Sequence, residues 1–190
     1  MQNPIIKSVE TWLSETVIGL NLCPFAKREY VQKKVRFQVS PAKSEQELLQ
    51  DVVVELALLN KEPGIETTLL IHPDVLSDFD DYNQFLSFTD QMLSAMNMNG
   101  EFQIASFHPD YQFADTEPDD AENYTNRSPY PLLHILRESS LEKAIAAHGD
   151  TEQIPEDNIQ LMNKLGADEM AKRLKQHQVK SPNPEVESDA

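Results

Sequence analysis

The tripeptide His-Pro-Asp occurs twice in this sequence, at residues 72–74 and 108–110, and each copy follows an apolar run. An imidazole ionises near neutral pH, so it can accept or release a proton under physiological conditions. His72 and His108 are therefore candidates for acid–base chemistry or ligand binding. The alternative for each is a structural role, in which the proline ends a strand and the imidazole is satisfied by its surroundings.

A guanidinium group follows the second copy. Residues 109–130 show no helical or strand periodicity, and a stretch of that length inside a domain is usually functional or disordered. The sequence then reads Asn-Arg-Ser-Pro-Tyr-Pro, where Arg127 suits bidentate binding of a carboxylate or phosphate. The alternative is that Arg127 pairs with acidic side chains of its own loop. His134 lies shortly after it and could share proton transfer or metal ligation.

Cys23 is the single cysteine, and it follows the first predicted helix. The negative end of the helix dipole raises the pKa of a thiol, which favours a buried structural role over a nucleophile or metal ligand. A metal site could draw three ligands from Cys23, the histidines, Asp110 and Asp115. Their spacing matches no diagnostic motif. The sequence therefore leaves the cofactor unknown, with a divalent metal as one option.

The elements that position these groups follow from apolar periodicity. Helical spacing predicts helices over residues 4–22, 45–62, 139–148 and 155–177, and a further helix that is capped within residues 77–81 and has its buried stripe over residues 82–96. Apolar or alternating runs predict strands at Val35–Val39, Thr67–Ile71 and Phe102–Phe107. Strands joined by crossover helices run parallel, and ligands bind outside their carboxyl edge. His72 and His108 would then share one edge, about 5 Å apart on neighbouring strands or about 10 Å apart with one strand between.

These elements predict an α/β fold with a small, mainly parallel sheet of three or four strands packed by helices. Residues 132–136 are ambiguous, since Pro131 suits the first turn of a helix and the run also fits a fourth strand. A strand there would favour the alternative, a ferredoxin-like α+β sandwich. We assign residues 1–180 to a single globular domain. Residues 181–190 contain two prolines and three acids, which predicts a disordered acidic tail.

Composition limits the classes of partner. The 190-residue chain has a formal net charge of -16, which disfavours general binding to nucleic acid or anionic membranes. No apolar run reaches the roughly 20 residues of a membrane-spanning helix, and no secretory signal is visible. Together with the single cysteine, this predicts a cytoplasmic protein. A basic cluster at residues 27–36 is either a solvated surface or a guide for an anionic ligand. The oligomeric state stays open.

Three stretches carry a resemblance to a known family: Asn-Leu-Cys-Pro-Phe-Ala at residues 21–26, Phe-His-Pro-Asp-Tyr-Gln-Phe-Ala at residues 107–114, and Thr-Asn-Arg-Ser-Pro-Tyr-Pro at residues 125–131. Over roughly residues 5–166 the chain resembles an uncharacterised bacterial family, domain of unknown function 1415. The resemblance implies a bacterial cytosolic protein. It supplies no activity, cofactor or catalytic assignment.

The leading functional hypothesis is an enzyme that performs hydrolysis or group transfer on a small anionic metabolite at the carboxyl edge of the sheet. The candidate catalytic residues are His108, His134 and Arg127. The candidate substrate-binding residues are Tyr111, Asn126, Ser128, Tyr130, His72 and Cys23. Catalysis predicts that the first three converge in a concave pocket. The alternatives are a non-catalytic ligand- or protein-binding module that uses the same rim, and a structural or regulatory partner that acts through its acidic face.

Overall fold

A computed structural model of the chain describes residues 2–148 and 151–178. The predicted acidic tail, residues 181–190, lies outside this range. The strands are β1 (Val35–Val39), β2 (Thr67–Ile71), β3 (Phe102–Phe107) and β4 (Leu132–Arg137). The helices are α1 (Pro4–Trp12), α2 (Ala26–Val31), α3 (Glu45–Lys61), α4 (Phe79–Ala95), α5 (Glu138–His148), α6 (Ile154–Leu165) and α7 (Ala167–His177). Within these ranges, no helix combines the length and apolarity needed to cross a membrane.

The four strands form one sheet in the order β1-β2-β4-β3. β1 pairs with β2 in parallel, whereas β4 pairs antiparallel with both β2 and β3. The prediction of an α/β fold with a small helix-packed sheet is confirmed. Three strands run in one direction as expected, but two of the three pairings are antiparallel because β4 lies between β2 and β3. The chain order β-α-β-α-β-β also differs from the ferredoxin-like β-α-β-β-α-β.

Each face of the sheet covers a separate apolar core. One face packs Leu70, Leu133 and Ile135 against the buried sides of α3 and α4. The other packs Leu69, Ile71 and Leu132 against α1 and the residues that follow it. β2 is buried at every position, which explains why its sequence is almost continuously apolar. The alternation of strand residues between faces therefore decides which side chains can reach which core.

The helix boundaries follow local capping. The Asn3 side chain accepts from the backbone N–H of Ile5, and Pro4 occupies the first helical position, where its missing N–H costs nothing. Ser44 accepts from the N–H of Glu47, and Asp78 accepts from the N–H groups of Asp80 and Asp81. The predicted start near residue 45 is therefore right for α3, and the N-cap of α4, Asp78, lies within the predicted capping range of residues 77–81.

Two predicted helices differ in detail. The expected helix over residues 4–22 is α-helical only to Trp12, continues as a π-helical segment over Leu13–Ile18, and then turns. The expected helix over residues 155–177 divides into α6 and α7 at Gly166, whose φ of +84° is outside the helical region. α7 returns to the first helix, where the Ser8 hydroxyl donates to the His177 carbonyl and Thr16 Oγ1 lies 3.1 Å from His177 Nε2.

Candidate functional site

The two His-Pro-Asp imidazoles do reach the same edge of the sheet. Ile71 and Phe107, the last residues of β2 and β3, both pair with Leu132 of β4. His72 and His108 therefore follow two strands that point in the same direction, and β4 lies between these strands. The sequence allowed two arrangements, with the histidines on neighbouring strands or with one strand between them, and the structure has the second.

Both imidazoles hold the loop that leads into α4. Nδ1 of His72 donates to the Val75 carbonyl at 2.9 Å, and Nε2 of His108 donates to the next carbonyl, that of Leu76, at 3.2 Å. Leu76 has a φ of +57°, a left-handed conformation that leucine rarely adopts. Nδ1 of His108 also accepts from the N–H of Asp110 at 3.0 Å. Both ring nitrogens of His108 are thus occupied by backbone groups.

Tyr82 of α4 lies against both rings. Its ring centroid is 5.7 Å from that of His72 and 5.1 Å from that of His108. Its hydroxyl donates to the Leu132 carbonyl at 2.8 Å and accepts from the N–H of Phe107 at 3.0 Å. Burial lowers the pKa of His72 to about 4 and also lowers that of His108. These two histidines are neutral, closed off from solvent and engaged in fixing the end of the sheet.

Arg127 is held by the backbone of its own loop. Its Nε donates to the Tyr111 carbonyl at 3.1 Å and its Nη2 donates to the Pro118 carbonyl at 2.8 Å. The guanidinium carbon lies 4.5 Å from the centre of the Tyr124 ring. Among the described residues, Arg127 therefore contacts two carbonyls and a ring. The sequence had suggested the carboxylates of its own loop as an alternative.

The remaining loop candidates also make internal contacts. The Asn126 side chain donates to the Ser106 carbonyl, and the Ser128 hydroxyl donates to the Tyr130 carbonyl. Tyr111 packs against Phe79 with ring centroids 5.1 Å apart, and Tyr130 packs against the core that contains Leu132. The segment that lacks sequence periodicity is therefore a folded loop that includes a 3-10 helix at Ala121–Thr125.

A cavity of about 300 Å³ lies elsewhere, on the sheet face covered by α1. Its floor is formed by Leu69, His134, Leu136 and Phe107, and its walls come from the end of α1, the segment around Cys23, α2 and α5. Side chains in contact with the space include Trp12, Leu13, Cys23, Pro24, Phe25, Ala26, Leu141 and Ala144. The structure brings His134 and Cys23 together here, whereas His72, His108 and Arg127 do not line this cavity.

His134 reaches the cavity because it lies in β4 opposite Leu69 and Ala105, on the face that α1 covers. Its Nε2 is 2.6 Å from Thr67 Oγ1, and that hydroxyl donates its hydrogen to the Ile135 carbonyl at 2.7 Å. Because a carbonyl can only accept, Nε2 of His134 must carry the hydrogen in its bond to Thr67. Nδ1 then keeps a free lone pair, for which the described residues provide no partner. Burial lowers the pKa of His134 to about 4, so the ring is neutral at pH 7.

Cys23 faces the cavity from the turn after the π-helical segment. Burial raises the pKa of its thiol, and hydrogen bonds from the backbone of Phe25 and Ala26 offset only part of this effect. The sulfur is therefore a neutral thiol at pH 7. This agrees with the direction expected from its position after a helix, although burial is the larger cause.

Charged groups surround one end of the cavity. Glu66 receives hydrogen bonds from Lys34 at 3.1 Å and from the Ser140 hydroxyl. Burial opposes ionisation of Glu66, but these bonds and the charges of Lys34 and Arg137 together lower its pKa. Arg137 in turn donates to the Leu59 and Ile65 carbonyls.

Glu29 of α2 is the exception among these charged groups. Its Oε1 is 3.6 Å from Arg28 Nε, but its Oε2 is buried without a hydrogen-bond partner. The Arg28 side chain is 68% exposed.

Nowhere in residues 2–148 and 151–178 do three or more His, Cys, Asp or Glu side chains form a group that could hold a metal ion. The metal option considered from Cys23, the histidines, Asp110 and Asp115 therefore finds no ligand set in this part of the chain.

Several residues of this cavity were not identified from the sequence. Thr67 reads as an ordinary strand residue, yet it fixes the tautomer of a histidine far along the chain. Trp12 and Phe107 fit helix and strand periodicity, and their rings meet edge to face at 5.5 Å beside the cavity. The sequence signal for this site was His134 itself, because it is a polar residue inside an apolar run. That run is β4, in which the residues on either side of His134, Leu133 and Ile135, are buried.

A family model described as "Protein of unknown function (DUF1415)" matches residues 4–172. No curated protein and no solved structure gives a significant match. The match covers the cavity, the His-Pro-Asp edge and the folded loop. The chain therefore belongs to this family of proteins of unknown function, as the three sequence stretches indicated.

Proposed function

We propose that this protein binds a small molecule in the cavity between the sheet and α1, with Nδ1 of His134 as the group that recognises it. The observation that carries this proposal is a nitrogen of a partly buried imidazole that has no partner among the described residues; Thr67 holds the ring in one tautomer, and the ring lies in the floor of a mainly apolar space. Cavities of about this size with a few oriented polar groups are the usual form of small-molecule sites. A buried acceptor gains most from a ligand that supplies its missing hydrogen bond.

Binding without catalysis is the better-supported form of the proposal. A general base works best when its pKa is near the working pH, and the pKa of His134 is about 4. Hydrolysis or group transfer stays the second candidate because Cys23 lines the same space. The neutral state of both side chains opposes the thiolate–imidazolium pair that such an enzyme would use. A cytoplasmic location, which the free cysteine favours, is part of the same proposal.

The site originally expected at the carboxyl edge receives less support. His108 uses both ring nitrogens on backbone groups, and Arg127 donates to two loop carbonyls. A substrate would have to displace these bonds before either side chain could act on it. We therefore centre the proposal on His134 and Cys23.

Trp12 provides the test. It is the single tryptophan and it lines the cavity, so its fluorescence reports on occupancy. Wild-type protein is titrated with a set of aromatic fragments of up to about 12 heavy atoms. The variant Ala144→Phe fills the cavity, whereas Ala57→Phe adds the same side chain on the exposed side of α3. We expect fragment-dependent changes in emission in wild type and in Ala57→Phe, and none in Ala144→Phe. Equal responses in both variants, with both folded by circular dichroism, would contradict the proposal, as would no response in wild type.

A further inference from the structure

The polar groups around the cavity differ in how many of their hydrogen-bond donors and acceptors already have a protein partner. Two hydroxyl donors near its floor are engaged: the Ser140 hydroxyl donates to Glu66, and the Thr67 hydroxyl donates to the Ile135 carbonyl. Nη2 of Arg137 donates to the Leu59 and Ile65 carbonyls, and its Nε lies 4.0 Å from a Glu66 carboxylate oxygen. Nδ1 of His134, at the floor, is an acceptor that has no partner among the described residues. The unpartnered Oε2 of Glu29 is an acceptor as well, although it is closed off until that side chain turns. A ligand that satisfies Nδ1 of His134 must therefore supply a hydrogen-bond donor.

The charges around the cavity also favour an uncharged ligand over an anion. A neutral imidazole with its lone pair towards the cavity repels a carboxylate or phosphate at that position. Arg28, the cavity's most exposed cation, lies 3.6 Å from Glu29 and keeps most of its side chain in solvent. The chain as a whole carries a net charge of -16, which also disfavours an anion. These features weigh against the small anionic metabolite of the leading sequence-based hypothesis, in which Arg127 would bind the anion.

Size and wall shape limit the body of the ligand. A cavity of about 150 Å³ lined by apolar residues holds one benzene ring, so a space of about 300 Å³ fits two fused rings. The rings of Trp12 and Phe107, which meet edge to face, both border it, and the centroid of Phe107 lies 6.1 Å from that of His134. A flat ring packs against such aromatic side chains in an offset-stacked or edge-to-face arrangement.

We infer that the cavity takes an uncharged, bicyclic aromatic molecule that carries one N–H or O–H group, and that this group donates to Nδ1 of His134. The inference rests on the proposed function and names its ligand class. The hydrogen on Nε2 stays with Thr67, so the ligand's donor completes the hydrogen bonding of the ring without any change in its protonation.

Three probes of similar size separate the options: indole, which has an N–H donor; benzothiophene, which has none; and 2-naphthoate, which is an anion. Their binding to the full chain is measured by isothermal titration calorimetry. Indole is expected to bind about five- to tenfold more tightly than benzothiophene, the range of one hydrogen bond. In His134→Phe this preference should disappear, because the ring volume stays and the acceptor is lost. 2-Naphthoate should bind most weakly to wild type.

A spectroscopic measurement covers the case in which His134→Phe does not fold. In wild type, the nitrogen NMR signal of Nδ1 of His134 should shift when indole is added and stay almost unchanged with benzothiophene. Benzothiophene binding as tightly as indole, or 2-naphthoate binding most tightly, would overturn the inferred class while the cavity still binds ligands. Failure of all three probes, together with no response of Trp12 to the wider fragment set, would instead remove the proposed function itself.

Discussion

His72, His108 and His134 differ in the hydrogen bonds that their ring nitrogens make. His108 gives both ring nitrogens to backbone groups, His72 gives one and buries the other, and His134 keeps one nitrogen open to a cavity. The sequence marked all three. It placed His108 and His134 as catalytic candidates and His72 as a binding candidate. It could not single out His134, because the partners that distinguish the rings, Leu76 for His108 and Thr67 for His134, are remote in the chain and carry no motif of their own.

Tyr82 gives the first prediction at this scale. Replacing it with Phe leaves the Leu132 carbonyl and the Phe107 N–H without their partner in the core. We expect the free energy of unfolding to fall by about 1–3 kcal/mol, measured by urea denaturation. Tyr30→Phe is the matched control, since its hydroxyl is 3.3 Å from a Glu10 carboxylate in a partly exposed pair, and it should cost under about 0.5 kcal/mol. Equal losses in both variants would show that the bridge does not stabilise the sheet.

Cys23 gives the second prediction at the scale of single residues. Because burial raises the pKa of its thiol, alkylation by iodoacetamide at pH 7.5 should be at least about tenfold slower in the folded protein than in urea, where the same thiol is exposed. The rate is followed by mass spectrometry. A saturating cavity ligand should slow the folded reaction further. Similar rates in the folded and unfolded chain would contradict the placement of Cys23 in a buried wall.

At the scale of elements, the π-helical segment Leu13–Ile18 changes the path of the chain before the cavity. The extra residue per turn moves the following residues, and π-helical turns often occur at functional sites. The apolar spacing of residues 4–22 predicts one continuous α-helix, because periodicity detects a buried stripe and not the pattern of backbone hydrogen bonds. The folded loop before β4 was missed for a related reason: its contacts run from side chains to backbone carbonyls, which leaves no period in the sequence.

Gly19 tests that turn. A Cβ added at Gly19 would lie 2.2 Å from the Glu15 carbonyl oxygen, so the backbone of the π-helical segment would have to shift. We expect Gly19→Ala to lower the free energy of unfolding by about 2 kcal/mol or more. Gly64→Ala serves as the control, because a Cβ there meets nothing within 4 Å, and its effect should lie between zero and a gain of about 1 kcal/mol. Thermal and urea unfolding of the two variants provide the comparison. A neutral Gly19→Ala would mean that the segment tolerates a regular α-helical path.

At the scale of the whole molecule, the sequence was sufficient for the class of fold and for three strands, since their apolar runs are separated by clear helical patterns. It was not sufficient for the position of β4. Residues 132–136 fit a strand or a helix, and only the pairing of Leu132 with both Ile71 and Phe107 resolves the ambiguity. The same pairing separates the edge formed by the His-Pro-Asp residues from the face that holds the cavity. A site that seemed single in the sequence is therefore divided between two places.

Buried histidines make the stability of the molecule depend on pH. The pKa values of His72 and His134 are about 4 in the folded state, against about 6.5 when unfolded. The unfolded chain thus binds more protons between pH 6.5 and pH 4, and stability is lost as the pH falls through that window. From pH 7 to pH 5 we expect a loss of up to about 2 kcal/mol per histidine. Glu66, with its lowered pKa, adds a loss of the same sign at lower pH.

Urea denaturation at pH 7 and pH 5 measures this change. His134→Phe, which has no titrating group at that position, should lose up to about 2 kcal/mol less than wild type over the same interval. An identical pH dependence in the two proteins would mean that His134 is not buried in its neutral form.

The place of β4 in the sheet also bears on how the chain is synthesised. Of the strands in residues 2–148 and 151–178, β4 is the last to leave the ribosome, yet it lies between two strands that are made earlier. Until residue 137 has emerged, the apolar β2 and the nascent β3 have no central partner and their edges stay open to other chains. Completion of the sheet is thus delayed until residue 137 has left the ribosome. A chain released before that point would leave one edge of β2 and both edges of β3 unpaired, and it would be prone to aggregate.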